Sequence, residues 1–346
     1  MEENKVKEEG KPLSERHIFC LSGPTHLTTV DWNNFNHRRS VAASLVRGVY
    51  ILEYDRQLNR RGSQAHAPPW WDSFNFRLIR PLVDDADNSI FGAVYELMPF
   101  TSDCNHSVQN APDYVVAFRG TINKPDTMSR DLRLDIRCVR NRLHETSRYQ
   151  LAMQAVWSII DAAAGTSRIW LAGHSLGSAI SLLVGKNVTK MGYSVEAYLF
   201  NPPFPASIEI IKDGKLKDGI RITTSLLKAG LATAKGHYRS LPPDGPFMLL
   251  SKWVPYLFVN PADPICSGYI GYFEHRKKME EFRAGKIERI ATLNSLLKRD
   301  SEPLHLLLSA NLTINSSKSP DFKRAHGIQQ WWDPSFDGQS ELHEYK

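Results

Sequence analysis

The run Gly173-His174-Ser175-Leu176-Gly177 carries the strongest chemical signal in the chain. A G-x-S-x-G match is modest by itself. Here it follows the apolar stretch Ile169 to Ala172 and precedes a helical pattern from Ser178 to Lys190. A serine on a tight turn between strand and helix has strained backbone angles, which lift its Oγ above the sheet. Glycines two residues to either side let the strand and helix approach each other. The competing reading is a plain strand-to-helix turn. A serine hydroxyl is hardly ionised near neutral pH, so it needs a base to become a nucleophile. Histidine supplies that base, and a carboxylate holds the imidazole in the useful tautomer.

In sites of this kind the acid and then the base follow the serine along the chain. Asp263 stands in Val259-Asn260-Pro261-Ala262-Asp263-Pro264, just past the short apolar run Tyr256 to Val259. Loops at the ends of parallel strands are where such a sheet presents functional groups. A turn aspartate beside proline is the bland alternative, and Asp218 and Asp244 are weaker candidates. Of the downstream histidines, His275 lies in a charged run and is expected to be exposed, while His343 falls in a polar terminal tail. His305 sits in an apolar block that suits a core histidine. His326 lies in a late loop after Ser316 to Pro320, where a base after the last strand is expected, and the choice between His326 and His305 stays open. The oxyanion that develops in acyl transfer needs fixed donors. One is the N–H of Leu176, after the serine. The second is expected from Phe118-Arg119-Gly120-Thr121, with Thr121 as donor.

Positioning these groups requires a sheet. Tyr114 to Phe118 is a short apolar run with Val115 and Val116, as a buried strand requires. Between Ser147 and Ala164, Leu151, Ala155, Ile159 and Ala163 recur at helical spacing, and Gly165 can end that helix. Val195 to Phe200 reads as a further strand, closed by Asn201-Pro202-Pro203. The order strand, helix, strand, helix, strand implies a mostly parallel central sheet with helices on both faces, an α/β class. Upstream, a helical pattern runs from Trp32 to Arg56, and Phe74 to Val83 with Ile90 to Leu97 reads as a hairpin. Downstream, Phe273 to Lys298 is a mixed-charge helix candidate, read as a surface helix in preference to a lid, and Leu304 to Ile314 is a strand or a buried helix.

Together these residues resemble the class 3, fungal-type triacylglycerol lipases. The resemblance rests on Phe118-Arg119-Gly120-Thr121, on Gly173 to Gly177 and on Asp263-Pro264. Trp70-Trp71 through Phe91-Gly92, with Asp321 to Trp332, is similar to a plant subgroup of lipase-like proteins, some labelled GDSL esterase/lipase. No Gly-Asp-Ser-Leu box occurs, so that label reflects nomenclature. The resemblance covers roughly residues 30 to 335. It implies an α/β-hydrolase fold, a triad of Ser175, Asp263 and His326, oxyanion donors from Thr121 and Leu176, and acyl-ester hydrolysis without a cofactor. The segment between Asp263 and His326 is longer than in the compact fungal pattern. Alternatives for the same residues are a catalytically silent binding or signalling scaffold, an acyltransferase or a thioesterase.

Composition narrows the class. The chain has 346 residues, 42% of them hydrophobic and 23% charged, ordinary globular usage that supports a large core. The net charge of +6 comes from scattered Lys and Arg, which read as solvated surface, with peripheral membrane contact left open. Cys20, Cys104, Cys138 and Cys266 form no CxxC pair and are expected to be reduced thiols. Residues 1 to 15 read as a disordered polar tail without a secretory signal, and 16 to 346 as one domain, expected in the cytoplasm. No P-loop, G-x-G-x-x-G or H-E-x-x-H motif occurs, so no nucleotide, metal or nucleic-acid partner is expected. The tryptophans Trp70, Trp71, Trp331 and Trp332 either line an acyl site or pack beside prolines. Oligomeric state is not legible.

Overall fold

The computed structural model describes residues 19, 23–99, 110–122, 143–204, 245–281 and 306–345. Its centre is a sheet of eight strands in simple chain order: β1 Phe76–Val83, β2 Ile90–Leu97, β3 Tyr114–Phe118, β4 Ile169–His174, β5 Val195–Phe200, β6 Tyr256–Val259, β7 Ala310–Asn315 and β8 Gly338–His343. β3 to β7 are parallel neighbours, while β1 and β2 enter and β8 leaves in the antiparallel sense. Seven helices accompany the sheet among the described residues. They are α1 Phe35–Gln57, α2 Pro69–Asp72, α3 Ser147–Ala162, α4 Leu176–Lys190, α5 Pro246–Lys252, α6 Gly268–Glu281 and α7 Phe322–His326. This is the mostly parallel sheet with helices on both faces that the strand and helix order implies, and it agrees with the α/β-hydrolase fold that the resemblance implies.

The strand residues divide between two cores by the two-residue period of a strand. In β3, Val116 and Phe118 join a core with α3 and α4, while Val115 and Ala117 join one with α1. β4 repeats the pattern, with Ile169 and Leu171 on the first side and Trp170 and Ala172 on the second. β3 and β4 are therefore apolar on both faces, which explains why their sequences run continuously hydrophobic. Side-chain caps fix where two of the covering helices begin: Asn34 accepts the N–H of Asn36 at α1, and Thr146 accepts that of Tyr149 at α3.

Several expectations shift in detail. The mixed-charge helix starts at Gly268, five residues earlier than the charge pattern suggests, because Tyr269 and Phe273 bury against the core. Residues 282–298, the rest of that expected helix, lie outside the described residues, as do residues 1–15 and Cys20, Cys104 and Cys138. Within the apolar block Leu304 to Ile314, the part from Ala310 onward forms strand β7, paired with β6 and β8, while Leu304 and His305 lie outside the described residues. His343 is not in a free tail: it belongs to β8, and its ring stacks on Phe273 at 4.5 Å. His275 is not exposed either, being 7% accessible on the covered face of α6. Trp70, Trp71, Trp331 and Trp332 are all buried in the α1-side core, which fits the packing reading.

Candidate active site

The parallel strands deliver their carboxyl-terminal loops to one edge of the sheet in sequence. After β3 comes Arg119-Gly120-Thr121, after β4 Ser175, after β5 Asn201, after β6 Asp263, and after β7 the segment bearing His326. An open parallel sheet uses this edge for its chemistry.

Ser175 stands between β4 and α4 with φ 55° and ψ −122°, a left-handed conformation that a non-glycine residue adopts only under constraint. The constraints are visible. Its N–H donates to the Phe200 carbonyl at 2.9 Å, and its carbonyl accepts from the Ser178 N–H at 2.9 Å. Gly173 and Gly177 are required by proximity. A Cβ on Gly173 would fall 2.3 Å from the Gly177 carbonyl oxygen, and one on Gly177 2.3 Å from that of Phe118. Helix α4 thus starts hard against β3 and β4, with its positive end beneath the serine. Leu176, the first residue of α4, has no carbonyl four residues back in the helix to accept its N–H. The Ser175 hydroxyl is buried and makes no hydrogen bond among the described residues.

The acid and base meet directly. His326 Nδ1 and Asp263 Oδ2 are 2.8 Å apart. The sequence pattern puts His326 in a loop, whereas it closes the short helix α7, capped at its start by the Asp321 side chain. Its ring lies flat on Phe322, at 5.4 Å and 9°. The alternatives Asp218, Asp244 and His305 lie outside the described residues.

Asp263 is fully buried and richly supplied with donors. Oδ1 accepts the Ile265 N–H at 2.9 Å, and Oδ2 also accepts Asn201 Nδ2 at 2.7 Å and the Cys266 thiol at 3.2 Å. Burial alone would raise its pKa. The charge and hydrogen bond of His326, with the amide donors, outweigh burial and hold the carboxyl below its ordinary range. Burial and the adjacent Asp263 charge push the Cys266 thiol well up, so it stays protonated and donates. Asn201 ties the two loops together. Its Nδ2 also reaches the Ala325 carbonyl at 3.1 Å, and Trp331 Nε1 donates to its Oδ1 at 2.7 Å, which fixes the amide's orientation. Asn260 and Gln330 add a second tie at 2.8 Å.

A second network joins the loop of the base to the loop after β3. His174 Nε2 lies 2.7 Å from the His326 carbonyl, which can only accept, so Nε2 carries the proton. Nδ1 then accepts from the Tyr50 hydroxyl at 2.8 Å, and the same oxygen accepts the Gly120 N–H at 2.7 Å. A Cβ on Gly120 would fall 2.9 Å from Ser175 Cβ, so the β3 loop rests on the nucleophile residue itself, with half-buried Thr121 next in the chain. Motif and spacing do not single out Tyr50, Asn201, Cys266 or the role of His174. Asn201, at a strand end before two prolines, is the only one of these with a local signal.

Burial, and then the neighbouring His326, hold His174 down to about 3, so it is neutral in the folded protein. The unfolded chain takes up this proton near pH 6.5, whereas the folded one resists it until about pH 3. This contribution to stability is therefore complete above about pH 6.5 and declines as pH falls, by about 1.4 kcal/mol per unit. Asp263, with its lowered pKa, loses its own contribution only below the ordinary carboxylate range. Urea unfolding at about pH 6.5 and 4.5 is expected to show a wild-type loss about 2 kcal/mol larger than that of His174→Asn. Equal losses would mean that His174 is not held neutral.

Comparison with known proteins adds a family. No protein-family model matches the chain. An Arabidopsis thaliana protein named GDSL esterase/lipase is 52% identical over 349 residues, spanning 96% of this chain and 99% of its own length. A crystal structure of a lipase from Rhizopus microsporus var. chinensis aligns at 14% identity over 64% of this chain and 66% of that one. Its TM-score is 0.31, too low to bear on fold or chemistry.

Proposed function

The chain belongs to the family of the Arabidopsis esterase/lipase, and on that premise we propose that it hydrolyses carboxylic esters of lipid type through Ser175, His326 and Asp263. His326 Nε2 takes the proton of Ser175 as Oγ attacks the ester carbonyl carbon. Asp263, bonded to Nδ1, keeps Nε2 free to accept and steadies the imidazolium that forms. The amides of Thr121 and Leu176 receive the charge that gathers on the carbonyl oxygen. His326 then returns the proton to the departing alcohol, leaving an acyl-serine. A water molecule, deprotonated by the same imidazole, attacks the acyl carbon, and the collapsing intermediate releases the acid and restores the serine.

The observation that carries this reading is the strained backbone of Ser175 at one sheet edge with the bonded Asp263 and His326 pair. The Ser175 hydroxyl makes no hydrogen bond among the described residues, and the proposed proton transfer requires it to come within hydrogen-bond reach of His326 Nε2 as substrate binds. A graded series of p-nitrophenyl esters, from acetate to palmitate, tests the substrate class. Turnover at a rate that depends on acyl length is expected. A folded protein that turns over no ester in the series, with or without detergent, would leave the fold in use for something other than hydrolysis.

A further inference from the structure

Arg119 is a buried cation that the mechanism above leaves without a task. It is 5% accessible, and among the described residues no carboxylate lies within ion-pair distance of it. Its guanidinium donates to two backbone carbonyls: Nε to Ile90 at 2.6 Å, and Nη1 to Gly120 at 2.8 Å. Glu53 is already engaged with Arg56, Gln57 and the Ile90 N–H. Asp87 pairs with Arg148 at the surface. The nearby Glu53 and Asp87 charges offset part of the cost of burying the Arg119 guanidinium without bonding to it, and a merely structural link between two carbonyls needs no charge at all.

The geometry points to a role for Arg119 as the positioning residue of the oxyanion pocket, an inference that rests on the function proposed above. The carbonyl it grips belongs to the peptide that joins Gly120 to Thr121. A trans peptide is planar and its C=O and N–H point in opposite directions. Fixing the Gly120 oxygen therefore fixes the line of the Thr121 N–H, the second oxyanion donor. The preceding peptide is pinned as well, because the Gly120 N–H donates to Tyr50. With both ends of Gly120 held and its Cα against Ser175, the Thr121 amide has little freedom to turn. The guanidinium acts in a second way. It polarises the peptide toward a more positive N–H, and its field in a water-poor region favours negative charge on the far side of that peptide. Both effects grow as the oxyanion forms and are small for the neutral ester, so they fall on turnover and not on substrate binding.

The test uses the full-length protein with Arg119→Met and Arg119→Lys. Reactive sites are counted by saturation with a fluorophosphonate, so that unfolded material is excluded. Per labelled site, Arg119→Met is expected to lower kcat for a p-nitrophenyl ester about 100-fold, with KM changed less than about threefold. Affinity for an alkylboronic acid, which forms a tetrahedral anion on the serine, should fall by a similar factor. Arg119→Lys keeps the charge but loses the planar fork, so it should retain the fold and show an intermediate loss in both quantities. If kcat and boronate affinity per labelled site stay within about threefold of wild type in either variant, Arg119 is structural only. Failure of the wild-type protein to label at Ser175 would overturn the underlying function, and this inference with it.

Discussion

Alanine at Ser175 removes ester hydrolysis almost completely, with turnover falling by about 10⁶-fold toward the rate that pocket binding alone sustains. The size of the loss follows from the assigned role, since no neighbouring group offers a second nucleophile on that turn. Ser178, the other hydroxyl of that turn, is engaged with the Gly173 and Phe200 carbonyls. The fold should be unaffected. The Ser175 hydroxyl is buried without a partner among the described residues, so its removal relieves a polar group of an unfavourable place. Alanine meets the same left-handed backbone that serine already tolerates. The two effects leave unfolding within about 1 kcal/mol of wild type. Steady-state hydrolysis and thermal unfolding measure both quantities. Activity within about tenfold of wild type would remove Ser175 from the reaction.

The second large effect is expected for Asp263→Asn, with kcat down by about 10⁴-fold. The hydrogen bonds dictate why. Oδ1 must remain an acceptor for the Ile265 N–H, so the new amide nitrogen takes the place of Oδ2. There it faces Asn201 Nδ2, the Cys266 thiol and His326 Nδ1. To accept from that amide, the imidazole must lose its Nδ1 proton and carry one on Nε2 instead. It then cannot take the proton of Ser175. The donors that converge on this position also lose their acceptor, and stability should drop by about 2 kcal/mol. Stopped-time hydrolysis by the purified variant, beside its urea unfolding curve, separates the two losses. A fall of less than about tenfold in kcat would show that this carboxylate does not orient the base.

Much of this site is legible in the amino-acid sequence alone. The G-x-S-x-G run lies between a strand and a helix at the expected places, and β3, β5 and β6 coincide with apolar runs that are short and bounded. Strands buried on both faces announce themselves, because both sets of alternating side chains must be apolar. Asp263 and His326 are legible as a strand-end aspartate and a late histidine. Their meeting is not, since 63 residues separate them and only the order of β6 and β7 in the sheet brings them together. The supporting residues are harder still. Tyr50 sits in a helix at the far end of the chain from His326, and nothing in its local spacing distinguishes it from its apolar neighbours. His275 and His343 misled for a related reason: charged neighbours mark a surface helix or tail, but not which turn of it faces inward.

The proposed chemistry stands on Ser175 being an activated nucleophile, a property that covalent labelling reads without any assumed substrate. The purified protein is treated with a fluorophosphonate, digested, and the modified residue located by mass spectrometry. A single modification per chain, on the peptide carrying Gly173 to Gly177 and mapped to Ser175, is the expected result. A folded protein that takes no label, or takes it at another residue, would contradict the assignment.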